Sequence, residues 1–332
     1  MSIKSDLQRL CAAYGPTGRE NVIAKTITDM VREYADEIST DVMGNLIVLK
    51  KGVSGKKLML AAHMDEIGLM VTHIDENGFL RIAPVGGISI LGSRWRHVVF
   101  ENGVRGVVAS QTKDIKKAED ITMDKLFIDI GAGSRGQAQK LVSVGDVAKF
   151  TSEFAEMGGR LSSAAMDDRA GCVVLTELMK TVKSNPDDLY FVFTVQEEVG
   201  MRGAETSAFS ISPDIGIALD VTPAGDTPES MPFTVDLGKG PAVKIKDRSL
   251  ICSPSVVAML ESAAKEAGIE WQREVLTFGG TDAGMIQQTA GGVPSGVVSI
   301  PCRYTHSQTE TVDIGDIEGA VRLLCALVQK GI

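Results

Sequence analysis

Apolar residues recur at helical spacing early in the chain, at Ile23, Ile27, Met30 and Val31, and predict an amphipathic helix. Thr17 and Glu20 stand three apart ahead of it, the spacing of a capping box. Gly15-Pro16 separates this helix from a preceding one. Short apolar runs follow, Leu46-Ile47-Val48-Leu49 and Leu58-Met59-Leu60-Ala61-Ala62. The stretch Gly52-Val53-Ser54-Gly55 between them has turn composition, so the two runs are expected to pair as a hairpin.

From Gly68 to Arg160 the texture changes. Short Val- and Ile-rich runs alternate with turns at Gly78, Gly86-Gly87, Gly92, Gly103, Gly106, Gly131 and Gly145, which predicts a small β-barrel or sandwich. Beyond Leu161 strands and helices alternate. Helices are expected at 170–182, 256–267 and 317–328, and strands at 190–195, 215–219 and 296–300. Such alternation indicates an α/β fold with a mostly parallel sheet flanked by helices. The expected organisation is one α/β domain made of residues 1–67 and 161–332, with the β-rich domain 68–160 inserted.

In open α/β sheets, sites form at the carboxyl ends of the strands. Here the run 58–62 ends at His63-Met64-Asp65, 190–195 at Gln196-Glu197-Glu198, and 215–219 at Asp220; His306 follows 296–300 closely. Asp167-Asp168-Arg169 precedes the helix expected from Ala170. Taken singly, each has an ordinary explanation. A histidine after a strand is commonly hydrogen-bonded or exposed, and paired acids commonly cap helices or sit in solvated loops. Convergence changes the picture, because two of only four histidines stand at strand ends beside carboxylates. Mixed His and carboxylate ligation suits zinc, cobalt or manganese.

Composition narrows the classes. No run approaches the roughly 18 apolar residues of a membrane span, and Met1-Ser2-Ile3-Lys4-Ser5-Asp6 lacks a signal-peptide core. Five scattered cysteines, none in a CxxC pair, read as reduced thiols, so a cytoplasmic location is expected. A net charge of −9 argues against a nucleic-acid surface.

The motifs Ala61-Ala62-His63-Met64-Asp65-Glu66-Ile67-Gly68, Met166-Asp167-Asp168-Arg169-Ala170-Gly171, Gln196-Glu197-Glu198-Val199-Gly200, Ala218-Leu219-Asp220-Val221 and Tyr304-Thr305-His306-Ser307 occur in that order. Together they resemble the tetrahedral aminopeptidases, a group that includes glutamyl aminopeptidases. The flanks Gly15–Glu20, Asp41–Asn45 and Phe278–Asp282 look familial too, and the likeness spans nearly the whole chain. The resemblance implies a zinc-peptidase-like catalytic fold and two divalent metal ions per subunit. One ion would be held by His63 and Asp220, the other by Glu198 and His306, with Asp167 bridging. Glu197 would be the general base and Asp65 would orient His63. A cis peptide directly after Asp167 is implied, as is a homo-oligomer of six dimers joined largely through the inserted domain. The substrates would be peptides with a free N-terminus. Gly279, Gly280, Thr281 and Asp282 would form a loop lining the substrate pocket, the glycines allowing close approach.

Other signals are weaker. Gly131-Ala132-Gly133-Ser134-Arg135-Gly136 matches GxGxxG, but the helix after it has room for about two turns, too short for a dinucleotide unit. No GxSxG or P-loop pattern occurs. His73 and His97 read as ordinary strand or loop residues of the insert, the alternative being that one reaches a neighbouring subunit's site. Lys244, Lys246 and Arg248 read as a solvated basic face, the alternative being that they supply cations for an acidic substrate side chain. Two rival readings remain at this level: a related dinuclear carboxypeptidase or amide deacylase, and a metal-stabilised binding protein without turnover.

Overall fold

The computed structural model describes residues 2–113 and 115–332. A large sheet is built from β1 (Glu37–Thr40), β2 (Leu46–Lys50) and β3 (Lys57–His63), and is resumed after the insert. The insert contributes β4 (Gly68–Ile74), β5 (Leu80–Val85), β6 (His97–Phe100), β7 (Arg105–Ser110), β8 (Leu126–Asp129) and β9 (Val147–Phe150). Then follow β10 (Ala155–Met157), β11 (Arg160–Ser163), β12 (Asp188–Thr194), β13 (Ile215–Pro223), β14 (Ala242–Lys246), β15 (Gln272–Val275), β16 (Ser295–Arg303) and β17 (Glu310–Asp313).

The large sheet has 11 strands in the order β1-β2-β12-β3-β13-β16-β17-β11-β10, with β14 and β15 joined to it through β16. Its centre, β12-β3-β13-β16, is parallel. Its margins are antiparallel at β1/β2, β2/β12, β16/β17, β17/β11 and β11/β10, so the sheet as a whole is mixed. Helices cover both faces, and β3 shows why its sequence is one unbroken apolar run. Leu58, Leu60 and Ala62 enter the core on one face, packed with helix Met166–Thr181. Met59 and Ala61 point to the other, against Ala204 and Ala208 of helix Arg202–Ile211 and Ile286 of helix Asp282–Gln288. A period-2 strand buried on both sides needs apolar residues at every position. Each fully buried leucine there contributes about 1.5–3 kcal/mol.

The insert closes as a six-stranded barrel, β4-β5-β8-β7-β6-β9, around its own core of Leu69, Val71, Leu80, Val98, Val108, Leu126, Ile128 and Phe150. Closure leaves no unpaired strand edge. Among the described residues no helix is long and apolar enough to cross a membrane.

Three local expectations are corrected. The runs at 46–49 and 58–62 do not pair with each other: β12 inserts between β2 and β3, antiparallel to one and parallel to the other. Thr17 and Glu20 form no capping box, and the helix Asn21–Val31 begins without a side-chain cap. Within residues 68–160, β10 belongs to the large sheet rather than the barrel. The GxGxxG stretch leads only into the single turn Arg135–Ala138.

Candidate active site

Strand register brings the chemistry together. His63 is the last residue of β3 and lies beside Thr194, the last residue of β12. Asp220 sits inside β13, two residues beyond Ala218, which pairs with Ala61. Asp167 opens the helix Met166–Thr181 but has non-helical φ/ψ of −80° and 106°, and the Asp167-Asp168 peptide is cis. After β12 the chain turns sharply: Gln196 has φ of +57°, and the N–H groups of Gly200 and Met201 both donate to the Glu197 carbonyl at 2.8 Å. His306, with φ of +60°, follows β16. Left-handed backbone at residues with a side chain costs about 1–3 kcal/mol each and persists only where surroundings enforce it.

Asp167 lies between two histidines. His63 Nε2 lies 3.0 Å from Asp167 Oδ1 and 3.9 Å from Asp220 Oδ1. His306 Nε2 lies 3.3 Å from Asp167 Oδ2 and 3.5 Å from Glu198 Oε2. The two oxygens of Asp167 thus face different histidines. Two sets result, His63–Asp167–Asp220 and Asp167–Glu198–His306, each with its donor atoms within 4.8 Å of one another. Glu197 belongs to neither set.

Asp65 is fully buried and central. His63 Nδ1 is 3.2 Å from its carbonyl oxygen and 3.5 Å from its carboxylate. The carboxylate accepts the Thr17 hydroxyl at 2.8 Å and the N–H groups of Glu197 and Glu198 at 3.0 and 3.3 Å. Glu20 accepts the N–H groups of Gly18 at 2.7 Å and Gln196 at 3.3 Å. Thr17 and Glu20 therefore tie down the Glu197-Glu198 turn instead of capping a helix.

Electrostatics reflect an excess of acid. Burial, then the negative charge of Asp167, pushes Glu198 up to about 7. Burial also raises Glu197 and Asp220 well above the carboxylate range, with Asp220 adding to the shift at Glu197 and Asp167 to that at Asp220. Asp167 goes the other way. Burial would raise it, but its bonds with His306 and His63 win and hold it low. Burial would lower His306, yet its bond to Asp167 and the charge of Glu198 raise it to about 10.

The loop at 279–282 lies next to the site but keeps its polar side chains inside. Thr194 donates to Asp282 Oδ2 at 2.5 Å, and Thr281 faces Asp247 at 3.5 Å; both Asp282 and Thr281 are buried. Gly279 and Gly280 lie nearer the surface, and a Cβ on Gly280 would come within 3.5 Å of the Met201 methyl. Lys244 is no solvated cation: it is buried, 2.8 Å from Glu274 and 3.7 Å from Asp247. His73 and His97 are exposed on barrel strands.

Two contributors escaped the sequence reading. Gly86-Gly87, after β5, packs so tightly that a Cβ on Gly87 would meet His306 Nδ1 at 2.5 Å and one on Gly86 would meet Glu198 Oε2 at 3.0 Å. The glycine pair was the available signal. Glu310, at the start of β17, accepts the N–H groups of His306 and Asp167 at 2.7 and 3.1 Å. A single acid opening a short strand carries no such signal.

The chain is similar to known proteins along nearly its whole length. The chain matches the M42 glutamyl aminopeptidase family over residues 44–323. It is 50% identical to a putative aminopeptidase of Acetivibrio thermocellus, over 96% of each chain. Its structure is similar to aminopeptidase APDkam598 of the archaeon Desulfurococcus kamchatkensis, with a TM-score of 0.96 and 38% identity over 99% of this chain and 95% of that one. It is also similar to the TET1 peptidase of Pyrococcus horikoshii, described as assembling into a tetrahedron or a large octahedral shell, with a TM-score of 0.91 and 34% identity over 99% and 100% of the two chains. With its α/β scaffold, inserted barrel and peptidase relatives along nearly its full length, the chain belongs to the M42 glutamyl aminopeptidase family of peptide-bond hydrolases.

Proposed function

We propose that this protein is a metal-dependent aminopeptidase that removes N-terminal residues from peptides using two divalent ions, zinc or cobalt, with manganese also suited to the donors. The observation that carries the reading is Asp167, whose two oxygens divide between His63 and His306. The donor set fits: each group combines one imidazole with carboxylate oxygens, the ligands such ions take. His63 and Asp220 would hold one ion, Glu198 and His306 the other, and Asp167 both. The ions would supply Lewis acidity toward the scissile carbonyl and the attacking water.

The chain's own groups do the rest. Glu197 stands outside both ligand sets, so its carboxylate is free to take the proton of the attacking water and pass it to the leaving amine. Asp65 fixes the backbone of Glu197 and the ring of His63 together. The free N-terminus of the substrate can ligate or hydrogen-bond within the site, which would make the enzyme an exopeptidase.

Peptides with and without N-acetylation, beside a panel of aminoacyl-nitroanilides, test the reading. An aminopeptidase cleaves only the free-amine forms. Cleavage of the acetylated forms would favour the carboxypeptidase or deacylase alternative, and no hydrolysis after metal loading would favour a binding protein. The assembly described for the Pyrococcus horikoshii relative supports a homo-oligomer here too; our own reading is six dimers with segment 68–160 at the dimer contact. Light scattering showing a monomer with metal present would refute that assembly.

A further inference from the structure

Glu310 opens β17, the strand lying between β11 and β16. Its backbone is in register with Ser163, the end of β11, while its neighbour Thr311 is in register with Arg303, the end of β16. The chain leaving β11 runs on to Asp167, and the chain leaving β16 runs on to His306. Both connections therefore start beside Glu310 and return to it.

The Glu310 side chain is buried and its two oxygens have separate partners. Oε1 accepts the His306 N–H at 2.7 Å and Oε2 accepts the Asp167 N–H at 3.1 Å. The side chains of those same two residues approach each other, His306 Nε2 lying 3.3 Å from Asp167 Oδ2. Glu310, Asp167 and His306 thus close a ring, in which the backbone contacts and the contact between donor atoms are fixed together.

Neither connection is held by a regular ladder of its own. Ala165, Tyr304 and His306 all have left-handed φ, and Asp167 is non-helical although it opens a helix. Backbone of this kind needs an outside acceptor to stay in one geometry. A carboxylate offers an acceptor to both N–H groups. A carboxamide offers one acceptor and sets a donor against the other N–H.

We propose that Glu310 is a positioning residue that sets the spacing of His306 and Asp167 through their backbones. It thereby sets the affinity for the ion shared by Asp167, Glu198 and His306 without contacting that ion. This rests on the two-ion reading above.

The test compares wild type with E310Q by metal content, zinc and cobalt titration, the visible absorption of the cobalt-loaded protein, melting temperature, kcat and KM. E310Q is expected to fold and to hold the ion shared by Asp167, Glu198 and His306 about 10–100-fold more weakly, the usual effect of removing a group that orients metal ligands, with a smaller loss at the His63–Asp220 ion, which shares only Asp167. Its cobalt spectrum changes, its kcat falls and recovers in part at high metal, and its KM moves little. A merely structural role would lower the melting temperature and leave both affinities and the cobalt spectrum unchanged, which overturns the proposal. E310D keeps both acceptors on a shorter stem and should weaken the same ion less; it is the variant read where E310Q does not fold. Failure of both to fold places Glu310 in the scaffold and also overturns it. A wild type that binds no divalent ion brings down the two-ion reading, whereas two ions bound equally by wild type and E310Q bring down only the role of Glu310.

Discussion

The N–H of Glu197 donates to Asp65 Oδ1 at 3.0 Å, so the strand end that carries His63 also anchors the turn after β12. The other oxygen of Asp65 takes the Thr17 hydroxyl and the N–H of Glu198. One buried carboxylate therefore sets the candidate base, a candidate ligand and the ring of His63 relative to one another. In Asp65→Asn one oxygen becomes an amide, and one of the two backbone N–H groups loses its acceptor. We expect a loss of about 10–100-fold in turnover or metal affinity with the fold retained. Steady-state kinetics beside metal content would show it, and wild-type values for both would remove Asp65 from the account.

Metal affinity should rise with pH. In the metal-free site burial and Asp167 hold Glu198 at about 7, while the bond to Asp167 and the charge of Glu198 outweigh burial and hold His306 at about 10. A bound ion requires an ionised carboxylate and a neutral imidazole. Both groups therefore carry more protons in the free site than in the loaded one. Affinity should climb as pH rises through about 7 and continue upward toward about 10, with protons released on binding. Calorimetric titration in two buffers of different ionisation enthalpy measures that release. Binding that is independent of both pH and buffer would contradict it.

Much of this site was legible because buried parallel strands advertise themselves. The unbroken apolar runs ending at His63 and leading into Glu197-Glu198 and Asp220 mark central strands, and the register of β12, β3 and β13 brings their ends level. What failed was long-range. Nothing local distinguishes two runs that pair across a Gly turn from two that admit β12 between them. Thr17 and Glu20 have capping-box spacing, but their oxygens are engaged by Asp65 and by the N–H groups of Gly18 and Gln196. Lys244 looked solvated because its partner Glu274 lies 30 residues away on β15, the strand beside its own. Asp220 was expected just past a strand end and instead sits within β13, which runs on to Pro223.

Lys244 also predicts a stability effect. Burial would lower its pKa, but the charge of Glu274 outweighs burial and raises it, so the ammonium stays charged in the core. In Lys244→Met, Glu274 and Asp247 keep their buried charges without the cation. Breaking such a pair costs about 3–5 kcal/mol. The double variant Lys244→Met/Glu274→Gln removes both charges of the closer pair and should lose less. Denaturant unfolding of the metal-free proteins compares them, and equal stability of the single variant and wild type would contradict the pairing.

We assign Glu197 and Glu198, adjacent in sequence, different jobs. Glu198 Oε2 lies 3.5 Å from His306 Nε2 and shares a set with Asp167, whereas Glu197 belongs to neither set. The measurement is metal content by mass spectrometry beside turnover for Glu197→Gln and Glu198→Gln. Glu197→Gln should keep close to two ions per subunit and lose about 10²–10⁴-fold or more in turnover. Glu198→Gln should lose metal and recover activity in part at high metal concentration. If Glu197→Gln is the variant that sheds metal, or Glu198→Gln keeps both ions at wild-type affinity, the division of roles proposed here is wrong.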